Sequence, residues 1–445
     1  MRLSKATKLA YSLGDHTLNV ALSVLSLFYL FFLTEVAGLR PALASVVLLL
    51  GRTIDAFTDP LMGRLSDLTR SRMGRRRPYF LIGALPFGVS FAALFVSLPE
   101  ASESARFVYY TAAYALHTIA STILSVPYMA LLPEMSLDYE ERTSLSTYRS
   151  AASVVGTILA AVATKPTVDA LGGGAQGFLL VGCVYGAWLA IPWGIVFLRT
   201  RERPEFQREP RTSFFEGLRL VARHRAYRTL MALYLCSRIA MDVVGAMLIF
   251  YFTYWLGRPA DFEVAMGLLL VAAVASLPFW LRASVGTDKR TLFIVGSCWW
   301  AVAQIFFVVA TPAWPASAIF GLGVLAGIGY AVADLMPWSM LGDVVDADEL
   351  RTEERREGIY AGFFTFLRKL AGATAVALAG LALEFAGYEG GKGQSATALE
   401  AIRWLTGAAP ALFIVLGIVL ARGYPMSRER HAEVRRALER RRGAL

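Results

Sequence analysis

The chain alternates long apolar runs with short breaks that are basic or rich in glycine. A helix rising 1.5 Å per residue needs about 20 apolar residues to cross a bilayer. Runs of that length recur from end to end, among them "YFLIGALPFGVSFAALFVSL", "GFLLVGCVYGAWLAIPWGIVFL" and "APALFIVLGIVLA". They predict twelve spans, near 9–36, 42–65, 78–98, 104–133, 147–170, 177–198, 226–256, 262–284, 291–311, 315–342, 357–386 and 401–422. The expected fold class is therefore an all-α membrane protein.

The longest polar break, 199–225, separates six spans from six. It contains "SFFEGLRLVARHRAYR", whose pattern predicts an amphipathic helix lying on the membrane surface. The expected organisation is a six-helix bundle over 1–198, a linker over 199–225, a second six-helix bundle over 226–422 and a basic tail over 423–445. Two breaks resemble each other: "GRLSDLTRSRMGRRRPYF" after the second span and "LRASVGTDKRTLF" after the eighth. A repeat six spans apart is what a transporter built from two related bundles shows. Gly323 and Gly327 in the tenth span leave room for close helix packing.

Composition agrees with the pattern: 56% of residues are hydrophobic, only 18% are charged, and mean hydropathy is +0.51. Soluble chains carry about 25% charged residues. The net charge of +10 does not point to nucleic acid. The basic runs "RMGRRRP", "RTRERPEFQREPR" and "RERHAEVRRALERRR" all fall on the breaks of one side, which by the positive-inside rule is cytoplasmic. Both termini belong to that side, and the expected location is the inner (plasma) membrane. No short apolar core with a cleavage site precedes the first span, so no signal peptide is expected. Cys183, Cys236 and Cys298 lie in apolar runs without ligand spacing and read as small core residues. The four histidines are scattered and carry no expectation of a site.

The second span breaks the apolar rule. "GRTIDAFTDPLMG" holds Arg52, Asp55 and Asp59. Counted from the end of the span, Asp59 lies about 10 Å and Asp55 about 15 Å inside the membrane. Each ionised group at such depth costs on the order of 3 kcal/mol. Asp55 and Asp59 are four residues apart and share a helix face. Two close carboxylates resist joint ionisation, and a bound Na⁺ or H⁺ removes the repulsion. Arg52, three residues before Asp55, can instead pair with it or with a carboxylate on a neighbouring helix, and the alternative is a buried ion pair that only holds helices together. Thr58 adds a hydroxyl, and Pro60 leaves the carbonyl of Ala56 without its helical donor. An oxygen set of this kind suits a hard monovalent cation. Other polar groups stand in apolar runs: Asp15 and Asn19, Thr122 and Ser125, Arg149, Arg238 with Asp242, Asp334 with Trp338, and Arg368 with Lys369. Their spread over many helices suits a polar cavity in a transporter. A receptor or structural membrane protein would not need them. No nucleophile–base or metal-ligand spacing suggests an enzyme or a cofactor.

Four blocks carry a resemblance: "TKLAYSLGDHTLN", "GRTIDAFTDPLMGRLSDLTRSRMGRRRP", "VPYMALLPEMSLDYEERTSLSTYRS" and "PWSMLGDVVDADELRTEERREGIYAGFFTFLRK". The loop after the second span looks like the signature of the major facilitator superfamily. The four blocks together resemble the glycoside–pentoside–hexuronide cation symporters, the melibiose permease family. That resemblance implies a major facilitator fold and alternating access. It implies a coupling cation, Na⁺ or H⁺, at Asp55, Thr58, Asp59 and Thr122, and a cytoplasmic latch at Gly63, Asp67, Arg75 and Arg76. It implies a solute site at Asn19, Ser125, Arg149, Asp334, Trp338 and Lys369. Asn19 and Ser125 stand where melibiose permease has sugar-binding carboxylates, Met129 stands for its helix-four tryptophan, and Asp334 falls on its stacking tryptophan, with Trp338 one turn away. Cation coupling thus carries over better than galactoside specificity. The expected solute is a glycoside or other sugar. The alternative is a lysophospholipid, because "DAFTDP" and "PWSML" also look like the animal sodium–lysophospholipid symporters. The expected partners are this solute, a monovalent cation and the bilayer, and the expected state is a monomer.

Overall fold

The computed structural model describes residues 3–135, 139–202, 224–352 and 357–443. Among them every regular element is helical. The first six helices are α1 (Lys5–Val24), α2 (Pro41–Leu68), α3 (Pro78–Ala93), α4 (Glu103–Met135), α5 (Tyr139–Ala170) and α6 (Gly174–Arg199). There follow α7 (Arg225–Phe250), α8 (Phe262–Ser284), α9 (Lys289–Val309), α10 (Ala316–Thr352), α11 (Glu357–Phe385), α12 (Ala396–Thr406), α13 (Ala408–Arg422) and α14 (Arg428–Gly443). Ten described segments are long and apolar enough to cross a membrane, with α12 and α13 together forming the last. The shorter apolar α3 and the first segment, 5–36, complete twelve at the expected places. The helix expected from "SFFEGLRLVARHRAYR" lies mostly outside the described residues; its last residues open α7.

The chain divides into two compact units. One is drawn from Met1–Pro210 and Gly380–Ser395, the other from Arg211–Ala379 and Ala396–Leu445. In the first, α1 packs on α5 and α6, α2 on α4, and α3 on α4 and α6. The 380–395 segment joins this unit through polar contacts: the Ala42 N–H donates to Glu384 (2.8 Å) and the Gly391 N–H to Glu35 (2.9 Å). In the second, α10 packs on α8, α9 and α7, and α13 on α7 and α9.

The repeat is deeper than the two similar loops. The helical continuations of α1 and α7 both end in wide turns, Phe32–Val36 and Tyr251–Trp255, closed by Ala37 N–H to Phe32 O and Leu256 N–H to Tyr251 O (both 2.9 Å). Glycines with positive φ follow both, Gly38 at 66° and Gly257 at 65°. The segments "FLTEVAGLRPA" and "YFTYWLGRPA" align with one deletion, a signal in the sequence that the loop comparison overlooks.

Glycine spacing sets helix approach where expected. A Cβ on Gly327 would come within 2.2 Å of the Leu269 carbonyl, and one on Gly323 within 3.0 Å of the Ala265 carbonyl, so α10 rests directly on the α8 backbone. The cysteines need a correction. Cys183 and Cys298 are exposed on the outer faces of their helices and Cys236 is half-buried, so the first two are not core residues. Apolar context alone does not say which face of a spanning helix a residue occupies, because the lipid-facing side is as apolar as the interior. The basic tail forms α14, which packs on the end of α10. His431 lies 3.1 Å from Asp346, and the Arg441 guanidinium donates to the Leu350 carbonyl (3.3 Å).

Candidate functional site

Helix α2 runs unbroken through Pro60 and presents Asp55 and Asp59 toward α4. Gly51, one turn before Asp55, faces the ring of Tyr114; a Cβ there would fall 1.7 Å from it. This close approach brings α2 against α4 and puts Thr122 between the carboxylates. The Thr122 hydroxyl lies 3.1 Å from Asp55 Oδ1 and 3.0 Å from Asp59 Oδ1. Thr58 Oγ1 is 3.4 Å from the same hydroxyl and 3.3 Å from the Asp55 carbonyl. Asp55 is buried and Asp59 half-buried.

The Thr122 hydroxyl has one proton and donates to one carboxylate at a time. Its second contact then sets oxygen lone pairs against a carboxylate oxygen. A cation or a proton on the pair resolves this conflict, since the hydroxyl then turns a lone pair toward the added charge. Beside Asp55 lies a cavity lined by Leu22, Arg52, Asp55, Tyr114, His117 and Ser121 among others. His117 is buried, stacks on Phe87 (5.0 Å) and sits 3.2 Å from Ser90 Oγ. Neither Tyr114 nor His117 stood out in the sequence, because a tyrosine or histidine on an apolar helix is ordinary until its neighbours are known.

The expected solute residues fall in both units. In the first, Tyr11 and Tyr128 bolt α1 to α4. Each hydroxyl donates to the other residue's carbonyl (both 2.8 Å), and the rings stack at 4.3 Å. On the next turns Asn19 donates its side-chain amide to the Asp15 carbonyl (2.8 Å), and Ser125 is half-buried. Arg149 lies 3.8 Å from Asp15, and one of its terminal nitrogens contacts the Met129 sulfur at 3.1 Å. In the second unit Asp334 lies 3.7 Å from Arg238, Trp338 is 41% exposed, and Lys369 is half-buried.

The residues expected to form a latch lie at one end of the first unit. Arg76 pairs with Asp67 and hydrogen-bonds Ser66. Arg75 donates to Glu134 at 2.6 Å, and Arg76 approaches the same oxygen at 3.2 Å. Glu202 accepts the backbone N–H groups of Arg75 (2.6 Å), Arg76 (2.6 Å) and Arg77 (2.9 Å), ahead of the first turn of α3. Gly74, with φ +107°, keeps that approach open, since a Cβ would stand 2.7 Å from the Glu202 carboxylate. Gly63 is less constrained: a Cβ there would meet Val126 at an ordinary 3.7 Å. Glu134 and Glu202 are far from the loop in sequence, and no local spacing marks them as its partners.

A family model described as MFS/sugar transport protein matches residues 10–428. The chain is a member of that family. The resemblance to the glycoside–pentoside–hexuronide symporters is borne out by similar proteins. One is the putative glycoside/cation symporter YagG of Escherichia coli, 28% identical over 95% of this chain and 90% of that protein. Another is a sodium-dependent lysophosphatidylcholine symporter of Danio rerio, 29% identical over 95% of this chain and 86% of that one. A solved D-xylose-proton symporter superposes with a TM-score of 0.66 at 14% identity, covering 93% of this chain and 96% of that one, which bears on the fold alone. The major facilitator fold, with its twelve spans in two six-helix bundles, is thus shown. So is the broad reading: this is a multi-pass membrane transporter and not an enzyme.

Proposed function

We propose that this member of the family couples inward movement of Na⁺ or H⁺ to uptake of a small organic solute, a glycoside or related sugar, by alternating access. The observation that carries the reading is the single Thr122 hydroxyl held 3.1 Å and 3.0 Å from two carboxylates at bilayer depth. Two carboxylates one helical turn apart repel each other when both are ionised, and a transferable cation between them relieves that repulsion. Asn19, Ser125 and Arg149, with Asp334, Trp338 and Lys369, supply hydrogen-bonding groups and an aromatic face for the solute. The distribution of basic residues supports a cytoplasmic position, at the inner membrane, for both termini and the 199–225 linker. Gly63, Asp67, Arg75 and Arg76, with Glu134, act as the cytoplasmic latch.

A second reading, coupled transport of a lysophospholipid, is favoured by the likeness to the Danio rerio symporter and by the threonine in "DAFTDP". Uptake of a solute library into proteoliposomes, with and without a Na⁺ or H⁺ gradient, tests both readings. Gradient-stimulated entry of a glycoside supports the first, and of a lysolipid the second. No gradient effect on any transported solute contradicts coupling itself.

A further inference from the structure

Helices α7 and α11 of the second unit face each other in a ladder of three rungs. Tyr234 stacks on Phe364 at 4.1 Å. Two turns on, a Cβ on Gly372 would fall 1.9 Å from Asp242 Oδ2, so these residues form another rung. Between them the four-residue spacing sets Arg238 opposite Arg368. Arg238 is compensated: it pairs with Asp242 at 2.9 Å and has Asp334 of α10 at 3.7 Å. Among the described residues, Arg368 has no hydrogen bond and no carboxylate within 4.0 Å.

Three buried polar atoms on this ladder lack hydrogen-bond partners: Tyr234 Oη, Arg238 Nε and Arg368 Nε. Buried polar atoms without partners are rare and call for an explanation. Arginine cannot escape by losing its proton. Two guanidiniums and two carboxylates share this region, but both carboxylates contact Arg238, so the positive charge is concentrated at the Arg368 end. The rung is reachable. Arg368 is only half-buried, the Asp334 side chain is 40% exposed, and Trp338 is 41% exposed while packing on Phe364 at 4.9 Å. Asp334 is the weaker of Arg238's two partners and the one an incoming anion would displace.

We infer that Arg238 and Arg368 bind a single anionic group, a carboxylate or a phosphate, carried by the transported solute. The Tyr234 hydroxyl adds a neutral donor, and Trp338 covers the adjoining apolar or ring portion. The inference rests on the transporter reading for its cargo, but the anion site can be tested without transport.

The test measures thermal stabilisation of the purified protein by matched probes: methyl glucoside against methyl glucuronide, monoacylglycerol against lysophosphatidic acid, and inorganic phosphate alone. The anionic member of one organic pair should stabilise at a concentration at least tenfold lower than its partner, and the pair that responds tells a sugar acid from a lipid phosphate. Arg368→Gln should abolish that preference, and Arg368→Lys should restore part of it. Equal response to both members of each pair, no response to any anion, or an unchanged preference in folded Arg368→Gln would overturn the site. If Arg368→Gln does not fold, the same criterion applies to Arg238→Lys and Arg368→Lys, which keep the charge but lose the planar fork. Cation-driven uptake of a neutral glycoside without anion preference would remove this site and leave symport standing. Anion binding without gradient-driven uptake would do the reverse.

Discussion

Replacing Thr122 by valine keeps the shape of the side chain and removes the hydroxyl between Asp55 and Asp59. An oxygen contact or hydrogen bond to a charged group is worth about 1.5–3 kcal/mol. The hydroxyl serves one carboxylate before the cation arrives and the cation afterwards, so part of that value cancels. About 1–2 kcal/mol remains, which corresponds to a 5- to 30-fold rise in the cation concentration for half-maximal uptake, at about 1.4 kcal/mol per tenfold. Thr122→Ser, which keeps the oxygen, should stay close to the parent. Initial rates of solute uptake into proteoliposomes, titrated against external Na⁺ at fixed pH and against pH without Na⁺, give the number. The maximal rate should change less than the half-saturation. If Thr122→Val shows the parent's half-saturation for both ions, the hydroxyl is not part of the cation site and the argument from its single proton fails.

Other expectations concern latch, packing and cap. Glu134 is buried and receives both Arg75 and Arg76; since breaking a buried pair costs about 3–5 kcal/mol, Glu134→Ala should lower the melting temperature in detergent and reduce uptake, and an unaltered melting curve would show that the arginines find other partners. Gly327→Ala should destabilise by about 1–3 kcal/mol through overpacking, whereas Gly321→Ala, with nothing within 4 Å, should not; equal melting temperatures would contradict the close α8–α10 approach. At the start of α7 the Tyr227 N–H donates to His224 Nδ1 (3.3 Å), and burial holds the His224 pKa below its usual value, against Asp348, which raises it, and alongside Arg351, which lowers it. A depressed histidine pKa means that the folded state prefers the neutral ring, so this cap is intact above the ordinary pKa of about 6.5 and weakens as pH falls below it; the hydrogen-exchange protection factor at Tyr227 should drop between pH 7.5 and 5.5, and a constant factor would refute the role.

Much of the architecture was legible because hydropathy responds to the membrane itself. Twelve segments of spanning length, the six-and-six division and the glycine contacts of α10 follow from run length and residue size. The charged turn at Asp55 and Asp59 was legible for the same reason, since carboxylates at that depth are costly. Rotation about each helix axis was not legible. That is why the apolar runs around Cys183 and Cys298 suggest core positions although both residues are exposed. Long-range pairing was legible only through family resemblance, as for Thr122, or not at all, as for Glu134, Glu202 and Tyr114, whose roles depend on which helix packs beside them. Arg368, which forms no ion pair among the described residues, belongs to the same class. Its sequence neighbourhood shows a buried cation, but only the α7–α11 ladder shows that Arg238 already holds the carboxylates nearest to it.

The central claim is that the Asp55–Asp59 pair carries the coupling ion. The direct measurement is the steady-state accumulation ratio of a transported solute in proteoliposomes under an imposed cation gradient, for the parent, Asp55→Asn and Asp59→Asn. The account predicts accumulation above unity for the parent and a ratio near one for each variant, while downhill exchange of the same solute persists in part. If both variants still concentrate the solute against its gradient, the carboxylates are structural and the coupling ion binds elsewhere.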